Sequence, residues 1–139
     1  AFEALCMRFI QFTTQRAILV YWDNGFVKYE WRSSSAVKTR ARIRRTDDPQ
    51  EPLPGTLAAD STVEQEWDGT EMSAAIWCPE EAPHMKLREF KHSYTTGDRV
   101  LTLLLLESAE PRSWDRSWQD GESFDSFDQF VSNGQLPVR

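Results

Sequence analysis

The tripeptide Asp23-Asn24-Gly25 lies between two runs of mostly β-branched and aromatic residues, and it constrains the fold more than any other feature of the sequence. The runs are residues 17–22 and residues 26–31. Asn and Gly readily adopt the positive φ angles that a tight turn between antiparallel strands requires. The sequence therefore predicts a β-hairpin over residues 17–31.

Further strands are predicted from alternating polar and apolar residues and from turn residues between apolar runs. They cover residues 36–45, 62–67, 70–77, 85–92 and 99–107. Asp68-Gly69 is predicted to be the turn of a second hairpin, and residues 95–98 the turn of a third. The proline-containing residues 46–55 are predicted to form a loop, because proline has no N–H to donate in a sheet.

Apolar residues near the beginning of the chain recur at the spacing of one helical face. They are Phe2, Leu5, Cys6, Phe9 and Ile10. We expect a helix over residues 1–12 that buries this stripe. One short helix followed by about seven or eight strands is typical of a mainly β fold, an antiparallel up-and-down β-barrel. The 139 residues suit one domain, with an acidic, aromatic tail over residues 112–139.

Charge is divided unevenly along the chain. Residues 1–45 carry a net charge of +6 and residues 46–139 a net charge of −12. An acidic protein is repelled by nucleic acid as a whole, so nucleic acid is not an expected partner. A partner with an acidic face suits the basic third of the chain better.

Cysteine content and hydropathy narrow the class of protein further. Two cysteines, Cys6 and Cys78, are too few for a disulfide scaffold or a four-cysteine zinc site, and we expect both to be reduced and buried. No apolar run approaches the ~20 residues that cross a bilayer, and no signal sequence is recognisable. The expectation is a soluble protein that is not secreted and does not span a membrane.

Four cations alternate along the predicted strand 36–45, which places them on one side of it. They are Lys38, Arg40, Arg42 and Arg44. Guanidinium groups bind carboxylates and phosphates bidentately, so this face suits a carboxylate-bearing ligand or an acidic protein. The alternative is a solvated outer face without a ligand.

Large aromatic residues supply the other candidate binding groups. Trp22, Trp31, Trp67 and Trp77 are predicted at strand ends, where they either line the mouth of a barrel or pack the core. Trp114 and Trp118 lie in the acidic tail and are candidates for contact with a partner, since aromatic anchors are enriched at interfaces.

The sequence contains no motif of a hydrolase, kinase or dehydrogenase. His84 and His92 lack a ligand set at metal-binding spacing, and we predict no metal site and two surface histidines. Ser33-Ser34-Ser35 lacks the glycines that flank a nucleophilic serine. Whether the protein is an enzyme is open at this point.

Several short segments, in order, resemble the S-type phycobiliprotein chromophore lyases. The similar segments are Thr14-Gln15-Arg16, Asp47-Asp48-Pro49, Trp67-Asp68-Gly69, residues 101–108, and residues 130–133 together with Leu136 and Arg139. The resemblance implies a lipocalin-like barrel that carries a linear tetrapyrrole (bilin) without a covalent bond. It also implies that the barrel transfers the bilin to a cysteine of a phycobiliprotein subunit, forming a thioether, in the cytoplasm or the plastid stroma.

The same resemblance implies roles for individual side chains. Arg16, Arg40 and Arg42 would hold the bilin propionates, and Trp67 and Trp77 would be walls of its site. The reactive thiol would belong to the partner, since the bilin supplies the reactivity.

Two other functions fit the sequence. The first is a noncatalytic binding or assembly subunit that docks onto other proteins through Arg44 on the basic strand and Trp114 and Trp118 in the acidic tail. The second is a carrier of a small apolar ligand such as a fatty acid or a retinoid, although such a carrier needs fewer cations.

Overall fold

The computed structural model describes residues 2–46, 49–95 and 98–110. Trp114, Trp118 and the predicted tail 112–139 lie outside the described residues, as does Asp47-Asp48. The elements, in chain order, are α1 (Phe2–Phe12), β1 (Arg16–Asp23), β2 (Phe26–Arg32), α2 (Ser34–Lys38), β3 (Gln65–Ser73), α3 (Ala74–Trp77), β4 (Lys86–Ser93) and β5 (Arg99–Leu106).

The strands form one antiparallel sheet of five strands in the order β2-β1-β5-β4-β3. The predicted mainly β, antiparallel fold with a short N-terminal helix is confirmed to this extent. Within the described residues the sheet is open, because β2 and β3 are its two edges and do not pair with each other. Closure into a barrel stays a prediction.

The β1–β2 hairpin is confirmed, and its turn has the predicted chemistry. Asn24 has φ 55° and Gly25 has φ 84°, the left-handed conformation that Asn and Gly tolerate best. Tyr21 pairs with Tyr29 and Asp23 with Phe26, with a register shift between Tyr21 and Trp22. The last hairpin, β4–β5, also lies where the apolar runs predict it.

The predicted strand 36–45 is wrong. Its first part is the helix α2, which begins because the Ser33 hydroxyl accepts a hydrogen bond from the Ala36 N–H and caps the helix. Residues 41–46 beyond it belong to no strand, and Ala41 and Ile43 are buried against the sheet while Arg42 is exposed. The alternation is therefore real, but it comes from packing on the sheet and not from membership of it.

The predicted hairpin at Asp68-Gly69 is also wrong. Both residues lie inside the single strand β3, where the pairing with β4 shifts between Glu66 and Thr70. Gly69 has φ 88°, so this segment is a bulge, which glycine permits as readily as a turn. The last part of the predicted strand 70–77 is the helix α3.

The two faces of the sheet are covered by different parts of the chain. Ile18, Val20 and Trp22 of β1 face a cluster formed with α2, residues 41–43 and α3, and we call this side the loop-covered face. Ala17, Leu19 and Tyr21 point the other way, towards α1, and define the helix-covered face. Because β1 is buried on both faces, its sequence is apolar without interruption from Ala17 to Trp22.

Helix α1 is confirmed, but the stripe it buries differs from the predicted one. Ile10 is 2% exposed, and Cys6 and Met7 pack beside it on the helix-covered face. Phe2, Leu5 and Phe9 are 41%, 66% and 37% exposed. Among the described helices, none combines the length and apolar character needed to cross a membrane.

Candidate functional site

A groove of about 380 Å³ lies between α1 and the helix-covered face. The side chains along it come from the helix and from β1, β2 and β5, and most are apolar: Glu3, Met7, Leu19, Tyr21, Tyr29, Trp31 and Leu101. Its size falls within the range of ~300 to 1,000 Å³ of sites for small molecules. The groove forms because α1 lies across strands whose side chains on this face are mostly apolar.

Three aromatic rings form one wall of the groove. Tyr29 stacks on Trp31 with ring centroids 5.4 Å apart, and Tyr21 stacks on Tyr29 at 6.1 Å. Tyr29 and Trp31 are two residues apart on β2, so they point to the same side of the sheet. Tyr29 is 50% exposed, which leaves its ring accessible to a ligand.

Charged groups lie at the rim of this wall. The Lys28 ammonium is 5.8 Å from the centre of the Tyr29 ring, and the Arg99 guanidinium is 5.8 Å from the centre of the Tyr94 ring. Arg99 also donates a hydrogen bond to the Tyr21 hydroxyl, which raises the pKa of Arg99. Burial raises the pKa of Tyr94, and the Glu3 carboxylate adds to this effect.

The structure separates the two predicted tryptophan walls. Trp67 is 66% exposed and stacks on His92 of the helix-covered face, with ring centroids 6.0 Å apart. Trp77 is buried in α3 on the loop-covered face, 6.3 Å from the Trp22 ring. The two rings therefore lie on opposite sides of the sheet and do not line one pocket.

The predicted arginine clamp Arg16 is buried and fully engaged within the protein. It forms an ion pair of 2.6 Å with Glu81, with side chains 3% and 6% exposed. Its Nε donates to the Thr39 hydroxyl at 3.0 Å and its Nη1 to the Glu107 carbonyl at 2.7 Å. In this structure Arg16 connects segments of the chain.

The other predicted arginines lie on the loop-covered side, away from the groove. Arg40 has φ 61° just after α2, and the exposed Arg42 and Arg44 flank the buried Ile43. Arg44 Nη2 donates to the Ala75 carbonyl at 3.1 Å. The four cations do not form one strand face, because Lys38 belongs to α2 and Arg40 has a left-handed backbone.

The structure brings Arg42 together with residues that sequence reasoning missed. Arg32 Nη1 donates to the carbonyl of Ala41, the residue before Arg42, at 3.1 Å, and Arg45 pairs with Glu30 at 2.8 Å. We call Arg32, Arg42 and Arg45 the arginine cluster. Burial lowers the pKa of Arg32, and the neighbouring Arg42 guanidinium lowers it further. Arg32 and Glu30 are two residues apart on β2, a signal visible in the sequence, but their nearness to Arg42 depends on α2 turning the chain back.

A second group missed by sequence reasoning attaches the loop to the sheet. Glu89 is 0% exposed and accepts hydrogen bonds from the N–H groups of Leu57 and Ala58, at 3.0 and 2.8 Å. Lys91 donates to the Leu57 and Asp60 carbonyls at 2.8 and 2.7 Å. Burial raises the pKa of Glu89 and lowers that of Lys91. These contacts hold residues 57–60 on the loop-covered face.

The two cysteines and the two histidines differ in how deeply they are buried. Both cysteines are free, Cys78 buried and Cys6 half-buried, and burial raises the pKa of the Cys6 thiol to about 11. His84 is exposed as predicted, whereas His92 is half-buried between the rings of Phe2 and Tyr94. In the described part of the chain, no three acidic, histidine or cysteine side chains are grouped to hold a metal ion.

Comparison with known proteins adds no family to this description. Neither the protein-family models nor the curated proteins include a match to this chain.

Proposed function

We propose that the protein binds a small, mainly apolar ligand with a planar ring system in the groove beneath α1. The observation that carries the proposal is the wall of Tyr21, Tyr29 and Trp31 facing a groove of about 380 Å³. Stacked rings offer flat apolar surface, and the half-exposed Tyr29 leaves part of that surface open to a ligand.

The rim of the groove suggests a carboxylate on the ligand. Lys28, which also forms an ion pair with Asp23 at 3.7 Å, and Arg99, which hydrogen-bonds Tyr21, lie beside the aromatic wall, so their positive charges would attract an anionic group at the ligand's edge. Arg40 and Arg42 are on the other side of the sheet and are not part of this site. A linear tetrapyrrole, with its conjugated body and its propionates, belongs to this ligand class.

Transfer of a bilin to a partner is the more specific form of the proposal. The thiol of a phycobiliprotein cysteine would add to the vinyl or ethylidene group of the bound bilin, with the thiol proton passing to the bilin carbon. The protein's part would be to orient the bilin for attack. Closure of the sheet into a lipocalin-like barrel belongs to the same proposal, and slow amide hydrogen exchange at the outer edges of β2 and β3 would support it.

Filling the groove tests the proposal. Met7→Trp places a large ring in the groove, and we expect it to weaken binding of biliverdin by at least about tenfold. Phe9→Trp is the matched control, because Phe9 is on the same helix but outside the groove. Binding is measured from the change in biliverdin absorbance and from quenching of tryptophan fluorescence.

The choice of ligand separates the general proposal from the specific one. Binding of retinoic acid but not biliverdin, lost in Met7→Trp, supports an apolar carrier and contradicts bilin transfer. Equal binding of both ligands by the parent protein and by Met7→Trp contradicts the groove as the site.

A second candidate function is docking of an acidic protein on the loop-covered side. This function is favoured by three exposed arginines within four residues of sequence, Arg42, Arg44 and Arg45. Their positive charge would increase the rate of association with an acidic surface, and that rate would fall steeply with added salt. Weak salt dependence of a measured association rate would contradict this candidate.

A further inference from the structure

We propose that the arginine cluster and Glu30 form a binding site for a phosphate group, separate from the groove. Glu30 and Arg32 alternate with Trp31 on β2 and therefore face the loop-covered side. There Arg32 reaches the Ala41 carbonyl, next to Arg42, and Glu30 pairs with Arg45. The groove is on the opposite face, so neither proposal depends on the other.

The three guanidinium groups of the cluster use only part of their hydrogen-bonding capacity within the described residues. Arg32 Nη1 donates to the Ala41 carbonyl at 3.1 Å, and Arg45 Nη2 contacts Glu30 Oε1 at 2.8 Å. Arg42 is exposed and makes no ion pair with the described residues. Each guanidinium carries five N–H donors, so most donors of the cluster have no acceptor among the residues that the structure describes.

The charges of the cluster are unbalanced, since its three guanidinium groups lie near one carboxylate among the described residues, that of Glu30. Burial is the main cause of the lowered pKa of Arg32, and the positive charges of Arg42 and Arg45 lower it further. An entering anion removes this repulsion and accepts bidentate hydrogen bonds from the guanidinium groups.

Glu30 gives the site its selectivity. Its Oε1 lies 2.8 Å from Arg45, and its Oε2 is buried and has no hydrogen-bond partner among the described residues. Binding of an anion at this carboxylate requires Arg45 to move aside, and rotation of a side chain that is 62% exposed is fast. An unpaired carboxylate oxygen accepts a hydrogen bond only from an anion that carries a proton.

This chemistry distinguishes phosphate from sulfate. Inorganic phosphate keeps at least one P–OH group at neutral pH and donates it to Glu30 Oε2, whereas sulfate has no proton to donate. The carboxylate therefore admits the first anion and repels the second, although the two have nearly the same size and shape.

The experiment compares phosphate and sulfate by calorimetric titration at constant ionic strength. In the parent protein we expect phosphate to bind at least about tenfold more tightly than sulfate. Arg42→Gln should weaken phosphate binding by about tenfold or more. Arg42 is exposed and makes no ion pair with the described residues, so the thermal melt of this variant should match that of the parent protein. Lys86→Gln is the matched control, since it removes one exposed charge three strands away and should leave phosphate binding unchanged.

Glu30→Gln tests the selectivity. The amide no longer repels sulfate and can donate to it, so the preference for phosphate should disappear. Methyl phosphate at about pH 6, where part of the ester keeps its P–OH, separates the sources of the group. Binding as tight as that of inorganic phosphate assigns the site to a phosphate ester, and much weaker binding assigns it to free phosphate.

Three results would overturn the proposal. They are absence of phosphate binding to the parent protein, equal loss of binding in Arg42→Gln and Lys86→Gln, and a phosphate preference that survives in Glu30→Gln. Binding of polyglutamate that requires Arg42, without phosphate binding, would assign the cluster to an acidic protein instead.

Discussion

Arg16 connects four segments of the chain through one guanidinium group, since it lies in β1 and contacts Thr39, Glu81 and Glu107. Its charge is removed from water, and Glu81 compensates it. A buried charge without its partner costs far more than the intact pair contributes. This difference makes Glu81 the more informative residue to change.

We expect Glu81→Leu to lower the free energy of unfolding by about 3 to 5 kcal/mol, because Arg16 stays buried without a carboxylate. Glu51→Leu, at an exposed acidic residue, should change it by less than about 0.5 kcal/mol. Urea denaturation measures both. Similar values for the two variants would show that Arg16 reaches water when Glu81 is lost.

Glu89 makes the stability of the protein depend on pH. Burial raises its pKa in the folded protein above the ordinary value of 4.5, so over the interval between the two values the folded protein holds a proton that the unfolded chain has released. The free energy of unfolding therefore falls as the pH rises through this interval. We expect thermal melts of Glu89→Gln from pH 4.5 upward to show a smaller loss of stability with rising pH than those of the parent protein. The same dependence of stability on pH in both proteins would show that Glu89 does not cause it.

At the scale of single elements, two glycines with similar backbone angles have different surroundings. Gly25 has open space where a Cβ atom would lie, whereas a Cβ atom at Gly69 would contact Arg88 Cγ and lie 2.8 Å from Phe90 Cε2. Gly25→Ala should cost about 1 to 2 kcal/mol, from its left-handed backbone alone. Gly69→Ala should cost about 1 to 3 kcal/mol more, because the bulge leaves no room for the methyl group. Equal losses of unfolding free energy for the two variants in chemical denaturation would mean that Arg88 and Phe90 of β4 move aside for the new methyl group.

The elements that the sequence predicts well are those with local causes. The turn at Asn24-Gly25 and the apolar run of β5 are predicted because their residues determine their own conformation. The alternation of apolar and charged residues over 36–45 led to a wrong prediction of a strand. A segment that packs on a sheet without joining it buries alternate residues just as a strand does. Asp68-Gly69 misleads because a turn and a bulge both use the positive φ of glycine.

The candidate sites, too, are predictable from the sequence only where their causes are local. Tyr29 and Trp31 share a face by spacing alone, but the groove also needs α1 to lie across them, which no local pattern indicates. The meeting of Arg32, Arg42 and Arg45 likewise depends on how α2 directs the chain. The sequence predicts Arg42 as a binding residue, which stays a prediction, and it does not predict that Arg32 and Arg45 lie near it.

At the scale of the whole molecule, the two buried clusters are joined by β1, which contributes to both. A change in either cluster should therefore weaken the entire sheet rather than one face of it. Ile10, at the interface of α1 with the sheet, and Phe9, beside it but 37% exposed, are the residues that test this coupling.

We expect Ile10→Ala to lower the free energy of unfolding by about 2 to 5 kcal/mol, and Phe9→Ala by clearly less. In Ile10→Ala, the near-ultraviolet signal of the tryptophans, which include Trp22 and Trp77 on the opposite face, should melt together with the far-ultraviolet signal of the sheet. Separate transitions for the two probes would show that the faces unfold independently.

The pairing of β1 with β5 has a consequence during synthesis of the protein. β1 pairs on one side with the adjacent β2, but on the other with a strand that lies far along the chain, as in the pairing of Arg16 with Leu106. When β1 leaves the ribosome, its partner β5 has not yet been translated. Until β5 is made, the apolar run from Ala17 to Trp22 has backbone N–H and C=O groups on one edge without a strand to pair with. A segment of this composition at an open edge is prone to pair with other chains. The nascent chain should therefore need a chaperone, or rapid translation of the residues between β1 and β5, to keep β1 from pairing with other chains.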